Sequence, residues 1–269
     1  MYKYLLILIL FTSCSEGLEE KDQYDILFLS HTRTDDRSNL LIPEVEKHNY
    51  QKYDALILGG DFLEETCLND GSLTYLDSVW NISSDYTLVS IGNHEEKNIE
   101  KLLDKTNKDA FYVQEIDDLP IVVLDTQSDS CNIIEDQLKM IQNISDTISK
   151  AKNIIFVSHK LIWLPEHPEL DSLWSTVSNG QKGHQKWDLM YNNFHSDVYP
   201  LLKEIQGKGC QVYFYSGDLG NRKRFFEYKT QEGIKFMASG LNYDDEEHYA
   251  WVLKYNKIEK SIIWQKIKL

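Results

Sequence analysis

Short apolar runs, separated by longer and more polar stretches, recur along this chain of 269 residues and constrain its fold most strongly. Each run is four to six residues long, and the β-branched and aromatic content is typical of buried strands. The runs are Tyr24–Leu29, Ala55–Leu58, Tyr86–Ile91, Ile121–Leu124, Ile154–Val157 and Gln211–Tyr215. Between them, stretches such as Asn39–Lys52 and Glu135–Ser149 have helix-like spacing, and Pro43 suits a first helical turn. The pattern predicts an α/β fold with a sheet core and helices outside.

The C-terminal part has a different pattern, in which three strand-like runs follow one another. These are Ile234–Ala238, Tyr249–Tyr255 and Ser261–Lys266, and we expect the last two to form a hairpin around Asn256–Lys260. Because no repeat or low-complexity linker interrupts the sequence, residues 24–269 predict a single domain with two sheets packed together. Residues 161–199, rich in Trp, His, Asn and Gly, stand out as an insertion.

Composition excludes some classes of protein. The chain has 28 Lys and Arg against 43 Asp and Glu, a formal net charge of −15, and 42% hydrophobic residues. Such a chain is globular rather than a disordered tail, and the lack of a basic stripe disfavours a nucleic-acid polymer as partner. Cys67, Cys131 and Cys210 are odd in number and widely spaced, so neither a zinc knuckle nor a disulfide framework is expected.

The first residues predict a targeting segment. The apolar run Tyr4–Phe11 is too short for a bilayer core of ~30 Å. It leads into Phe11-Thr12-Ser13-Cys14, which resembles a bacterial lipobox. The resemblance implies that residues 1–13 are a lipoprotein signal peptide and that Cys14 is lipidated; a plain secretory signal or an uncleaved anchor is the alternative.

Residues 14–23 then form a polar, acidic tether. Ser15, directly after Cys14, fits retention in the outer membrane, so we expect a lipid-anchored protein that faces the periplasm or the cell surface.

Polar residues that directly follow five of the apolar runs form a candidate site. They are Ser30-His31-Thr32-Arg33, Gly59-Gly60-Asp61, Gly92-Asn93-His94-Glu95, Ser158-His159 and Ser216-Gly217-Asp218. Ligands of α/β folds gather beyond the carboxyl ends of the strands. A single Gly-Asp after a strand is most often a turn, but five such ends in order are hard to explain as turns. Asp, Asn and His side chains at one edge are a ligand set for metal ions.

This ordered set resembles the calcineurin-like metallophosphoesterase family. The family pattern is Asp-x-His, Gly-Asp, Gly-Asn-His-(Asp/Glu), a lone His and Gly-His-x-His. The specific match is Ile91-Gly92-Asn93-His94-Glu95, supported by Gly60-Asp61 and Ser158-His159. The resemblance implies a four-layer α/β/β/α sandwich with a binuclear metal site at one edge.

The first and last motifs depart from the family pattern. His31 stands where the family has Asp, and Arg33 stands where it has His. In the last motif, Asp218 and Gly220 stand at the two His positions. One of the two metal positions therefore loses side chains that the family uses.

The resemblance then implies one metal position with a nearly full set of ligands. Asp61, Asn93 and His159 remain, and Asp218 is a chemically competent substitute, although Gly-Asp is also a good turn. His31 is open between a metal ligand, a hydrogen-bonded loop residue and a partner of a ligand. We predict one divalent transition metal (Mn, Fe or Zn), with a second metal site doubtful.

Two residues are candidates for the chemistry itself. Arg33 would pair with Asp61 in place of the first cation and hold a phosphate or sulfate oxygen; a surface arginine is the alternative. His94 would do acid–base work at the leaving group, as the family resemblance implies, with Glu95 orienting it.

Two further groups are candidates for substrate contacts. The insertion contains Trp163, Trp174, Trp187, Tyr191, Phe194 and Tyr199, with His184 and His195 as possible pocket residues. The aromatics would either form a stacking wall for a sugar or nucleoside or pack the insertion onto the domain. The cations Arg222, Lys223 and Arg224 would attract an anionic substrate or form a solvated loop.

The sequence therefore favours a metal-dependent hydrolase of phosphate esters, acting on an anionic small molecule or glycan such as a phosphorylated glycan or nucleotide. The alternative is a catalytically reduced lipoprotein of the same fold, acting as a binding or assembly factor in the cell envelope. The sequence does not decide the oligomeric state.

Overall fold

The computed structural model describes residues 21–36, 38–183, 185 and 187–269. The predicted signal peptide 1–13, the predicted lipidation site Cys14 and most of the tether 14–23 lie outside the described residues, as does His184. Among the helices of the described residues, none has the length and apolar character needed to cross a membrane.

Eleven strands form two mixed sheets within the described residues. The strands are β1 (Gln23–Leu29), β2 (Ala55–Leu58), β3 (Thr87–Val89), β4 (Tyr112–Ile116), β5 (Leu119–Val123), β6 (Asn153–Ser158), β7 (Gln211–Ser216), β8 (Phe225–Lys229), β9 (Lys235–Ser239), β10 (Tyr249–Asn256) and β11 (Ser261–Lys268). The first sheet has the order β11-β10-β1-β2-β3, and the second has the order β4-β5-β6-β7-β9-β8. Strands β1, β2 and β3 run parallel, as do β5, β6, β7 and β9, whereas β4, β8, β10 and β11 are antiparallel to their neighbours.

In the part of the chain that the structure describes, six α-helices connect or cover these strands. They are α1 (Pro43–Lys47), α2 (Asp70–Trp80), α3 (Ile99–Thr106), α4 (Glu135–Thr147), α5 (Trp174–Val177) and α6 (Tyr199–Gly207). Short 3₁₀ turns lie at Tyr50–Lys52 and Asp171–Leu173, and a π-helical turn, Phe194–Val198, precedes α6.

Three apolar cores stack between four layers of structure. In the middle core the inward faces of the two sheets meet, as where the rings of Phe28 and Tyr215 lie 3.7 Å apart. The outer face of the first sheet packs on α1, α2 and α3 through residues such as Leu76. The outer face of the second sheet packs on α4 and α6 through residues such as Ile141 and Leu202. The structure therefore confirms the predicted α/β/β/α sandwich.

Most predicted elements are confirmed, with small shifts at their ends. The hairpin of the last two strands forms, α1 begins at Pro43, and Glu135–Ser149 contains α4. The stretch Asn39–Lys52 contains α1 and a short 3₁₀ turn, separated by an extended His48. The edge strands β4 and β8 escaped prediction because their side chains alternate between buried and exposed positions, without a continuous apolar run.

Candidate metal centre

The ends of five parallel strands meet at one edge of the sandwich. The residues that follow β1, β2 and β3 come from the first sheet, and those that follow β6 and β7 come from the second. The Ser30 hydroxyl donates to the Gly217 carbonyl and ties the two sheets together at this edge. As a result, ligand atoms of His31, Asp61 and Asp218 all lie within 4.8 Å of one another, and all three residues are buried.

The backbone at two of these residues is strained. His31 and Asp61 have φ angles of 56° and 58°, in the left-handed region that non-glycine residues rarely adopt. Such a conformation costs roughly 1–3 kcal/mol per residue and is concentrated at functional sites. The Asp61 carboxylate also lies so close to the backbone of Gly92 that a side chain there would clash with it, because a Cβ would lie 2.3 Å from Asp61 Oδ1.

Asp61 lies at the centre of the cluster. Its side chain is 2% exposed, with His31 Nε2 at 3.2 Å, His159 Nε2 at 3.5 Å and His94 Nε2 at 4.0 Å. Burial by itself raises the pKa of Asp61, but positive charge on His159, a hydrogen bond from His31 and charge on His94 oppose it. The net effect holds the pKa of Asp61 well below its usual range, so the carboxylate stays ionised.

His159 presents one ring nitrogen to the two buried carboxylates. A carbonyl only accepts, so Nδ1 donates its proton to the Gly59 carbonyl at 2.8 Å. Nε2 is buried and has no hydrogen-bond partner among the described residues. It lies 3.5 Å from Asp61 Oδ1 and 4.0 Å from Asp218 Oδ1. Metal-bound imidazoles are oriented in this way, with the second nitrogen donating to a backbone carbonyl.

His31 lies on the other side of Asp61, and its Nε2 contacts both Asn179 and Asp61. Asn179 accepts a hydrogen bond from the Asn221 N–H through Oδ1, so its Nδ2 donor faces His31 Nε2 at 3.0 Å. The same Nε2 faces Asp61 Oδ2 at 3.2 Å. Two imidazole nitrogens therefore converge on one carboxylate, an arrangement that a shared cation stabilises.

His94 lies at the open side of the cluster. Its Nδ1 donates to the Glu64 carbonyl at 2.6 Å, and Nε2 lies 4.0 Å from Asp61 Oδ2. The side chain is 19% exposed, against 0% for His159. His94 can therefore exchange a proton with a molecule that enters from solvent.

Glu95 does not orient His94, contrary to the sequence-based interpretation. Its carboxylate is fully buried and accepts hydrogen bonds from the Asp61, Phe62 and Gly92 N–H groups and from the Thr66 hydroxyl. These bonds hold the β2 and β3 loops together. The Glu64 carbonyl takes the orienting role instead.

Arg33 also differs from the prediction. Its Nη1 contacts Asp35 Oδ1 at 2.5 Å and Glu64 Oε2 at 2.7 Å rather than Asp61. The backbone beyond His31 turns outward to bridge Arg33 with Leu41, and this carries the guanidinium away from the buried carboxylate. Two acidic partners already balance its charge.

Asn93 contacts a residue that sequence reasoning missed. The Lys160 ammonium donates to Asn93 Oδ1 at 3.1 Å, to Asp218 Oδ2 at 3.2 Å and to the Trp187 carbonyl at 3.0 Å. The Lys160 side chain is only 1% exposed. The signal in the sequence was the position of this lysine, between His159 and the apolar run Leu161–Leu164.

The insertion mostly packs against the domain. Trp163, Trp174 and Phe194 lie in the outer core of the second sheet, while Trp187 and Tyr191 are 59% and 57% exposed. The insertion reaches the candidate site through the Asn179 side chain and the Trp187 carbonyl. The described part of the insertion therefore does not form a continuous aromatic wall.

The two arginines of the basic run that follows Asp218 bind other residues of the protein. Arg222 donates to the Ser178 and Asn179 carbonyls, and Arg224 pairs with Asp245. These arginines hold loops around the site.

The donors fit a divalent cation. The supporting observation is the buried, unpartnered Nε2 of His159, aimed between Asp61 and Asp218. Two imidazoles and two carboxylates form a nitrogen and oxygen set that suits Mn, Fe or Zn.

The chain matches no family model and no curated protein sequence. Among solved structures it is similar to the NAD nucleotidase (NadN) of Haemophilus influenzae, with 14% sequence identity and a TM-score of 0.48. The match covers 91% of this chain and 50% of the nucleotidase, so the chain spans half the length of that structure.

Proposed function

We propose that this protein is a hydrolase of phosphate esters that depends on one divalent ion held by Asp61, Asp218, His159 and His31. The observation that carries the proposal is the His159 imidazole, whose Nδ1 is fixed by Gly59 and whose Nε2 faces both carboxylates. A purely structural histidine in such a site would use both nitrogens within the protein.

A divalent ion in this position supplies Lewis acidity, which polarises a phosphoryl oxygen and acidifies a water molecule. The protein prepares the ligands before the ion binds. The backbone N–H of His94 donates to Asp61 Oδ1 at 3.2 Å, and the Gly59 carbonyl fixes the imidazole of His159. Because these groups are fixed by packing, little reorganisation is needed on binding.

His94 is the proposed proton donor to the leaving oxygen. Its Nδ1–H is committed to the Glu64 carbonyl, so Nε2 carries the exchangeable proton. Nε2 lies beside Asp61 and at the solvent-facing side of the cluster. Both conditions are required of a general acid that meets a substrate at an otherwise buried site.

A phosphorylated glycan or a nucleotide-like molecule is the proposed substrate class. The support is Trp187, whose carbonyl touches Lys160 while its ring is 59% exposed. An exposed indole in the segment that contacts Lys160 offers a stacking surface for a sugar or a base. The proposed envelope location rests on residues 1–14 of the sequence alone.

The test is a panel of phosphomonoesters and phosphodiesters assayed with added Mn²⁺, Fe²⁺ or Zn²⁺. We expect hydrolysis of at least one class, and its loss in His159→Ala. The matched control is His48→Ala, which removes an imidazole bonded to Tyr53 and remote from the strand ends. Inactivity across the panel at high enzyme concentration, with metal bound, would contradict the proposal.

One observation favours the alternative of a binding or assembly lipoprotein. The acidic partners of Arg33 balance the guanidinium that would otherwise attract an anion. Binding of a glycan or an envelope protein without turnover would support this second candidate.

A further inference from the structure

We propose that the Lys160 ammonium takes the place of a second divalent cation, so that the site holds one metal ion and one internal cation. The inference rests on the proposed function in that it specifies how many ions that site takes. It also reassigns Asn93 from a metal ligand to a partner of Lys160.

The contacts of Lys160 are those of a cation held by ligands. An ammonium has three N–H donors, and here they meet three oxygens: Asn93 Oδ1, Asp218 Oδ2 and the Trp187 carbonyl. One acceptor is an amide, one a carboxylate and one a backbone carbonyl, the oxygen types that also bind hard divalent ions. With all three donors used, the ammonium is fully satisfied although it is buried.

The direction of the Lys160 side chain is fixed by its own backbone. The Lys160 N–H donates to Thr126 Oγ1, and the Ser158 hydroxyl donates to the Lys160 carbonyl. Lys160 directly follows His159, so one strand end delivers both an imidazole for the metal and the internal cation. The Trp187 carbonyl comes from the insertion, which completes this second position.

Charge balance separates the two positions. The ammonium lies 3.2 Å from Asp218 Oδ2, whereas Asp61 and Asp218 Oδ1 are faced by imidazoles and not by the ammonium. A divalent ion on Asn93 Oδ1 and Asp218 Oδ2 would compete with Lys160 for the same oxygens and would be repelled by its charge. The ammonium therefore excludes the second ion. Because Lys160 is 1% exposed, it acts as a positioning residue and does not touch substrate.

The test is metal stoichiometry by elemental analysis of wild type and Lys160→Ala, purified without chelator and equilibrated with Mn²⁺. We expect one ion per chain in wild type and two in Lys160→Ala, because the truncation leaves three oxygens facing a vacated space. The matched control is Lys108→Ala. Lys108 also donates to three carbonyls, those of Ile82, Ser84 and Thr106, away from the strand ends, and its loss should leave one ion.

Other results would overturn the inference. Two ions in wild type would overturn it while leaving the proposed phosphoesterase intact. One ion in a folded Lys160→Ala would overturn it in the same way. No ion in wild type would instead remove the proposed function, and this inference with it.

A second variant keeps the inference testable if Lys160→Ala does not fold. Asn93→Ala should retain one ion, since Asn93 serves Lys160 and not the metal. Loss of the ion from a folded Asn93→Ala would show that Asn93 is a ligand and would overturn the inference. Circular dichroism establishes folding in each case.

Discussion

The cluster at the strand ends has two halves, in which the charge of a buried aspartate is balanced in different ways. On the imidazole side, His31, Asp61 and His159 face one another, and the His159 Nε2 has no hydrogen-bond partner among the described residues. On the ammonium side, Asn93 and Asp218 are joined by Lys160, whose three donors are all used. In the proposed arrangement, the first half binds a divalent cation from solution, and the second half contains the ammonium of Lys160.

Two neighbouring positions at the same edge of the sandwich therefore differ in whether they would need a metal ion. Both halves use a buried aspartate at a strand end, and both are almost closed to solvent. The difference is one residue at the end of β6, where Lys160 follows His159. In the proposed arrangement, a single lysine separates the position that binds a metal from the one that does not.

The largest expected effect comes from His94, which lies at the solvent-facing side of the imidazole half. His94→Ala should lower kcat by about 10²–10⁴-fold, the usual contribution of a general acid, with metal content unchanged. Elemental analysis and steady-state kinetics on the same preparation measure both quantities. Loss of metal together with activity would make His94 a ligand and would extend the imidazole half by one residue.

Glu95 offers a third buried carboxylate, one held only by neutral donors. Glu95→Gln should lower the free energy of unfolding by about 2–4 kcal/mol, because an amide NH₂ would face backbone N–H groups in a buried site. Denaturant unfolding followed by circular dichroism measures this, with the exposed Glu65→Gln as the control. An unchanged free energy of unfolding would mean that the hydrogen bonds of Glu95 do not stabilise the fold.

Arg33 should have the smallest effect. Its guanidinium is already paired with the exposed carboxylates of Asp35 and Glu64, so Arg33→Ala should change kcat/KM by less than about tenfold. A loss comparable with that of His94→Ala would show that Arg33 leaves its carboxylates and binds the substrate, as the sequence suggested.

The sequence predicts what strand order alone determines. The polar ends of five apolar runs were expected to meet, and His31, Asp61 and Asp218 do so because parallel strands share a carboxyl edge. The apolar runs themselves predicted the two-sheet sandwich, since strands buried on both faces leave a clear hydrophobic signal.

Side-chain directions and contacts between residues distant in the chain could not be predicted from the sequence. The left-handed backbone of His31 turns the following loop outward and takes Arg33 from Asp61, which no residue pattern shows. The contact of Lys160 with Trp187 depends on the path of an insertion whose fold the sequence did not indicate. Glu95 was assigned by proximity in the chain, whereas three of its four hydrogen-bond donors, on Asp61, Phe62 and Thr66, lie on another loop.

The most direct test of the account is calorimetric titration of Mn²⁺ into the metal-free protein and into Asp61→Ala. We expect that wild type binds one ion per chain and that Asp61→Ala binds none, because both imidazoles of this half face the Asp61 carboxylate. Equal binding by the two proteins would contradict it and would place the ion elsewhere in the molecule.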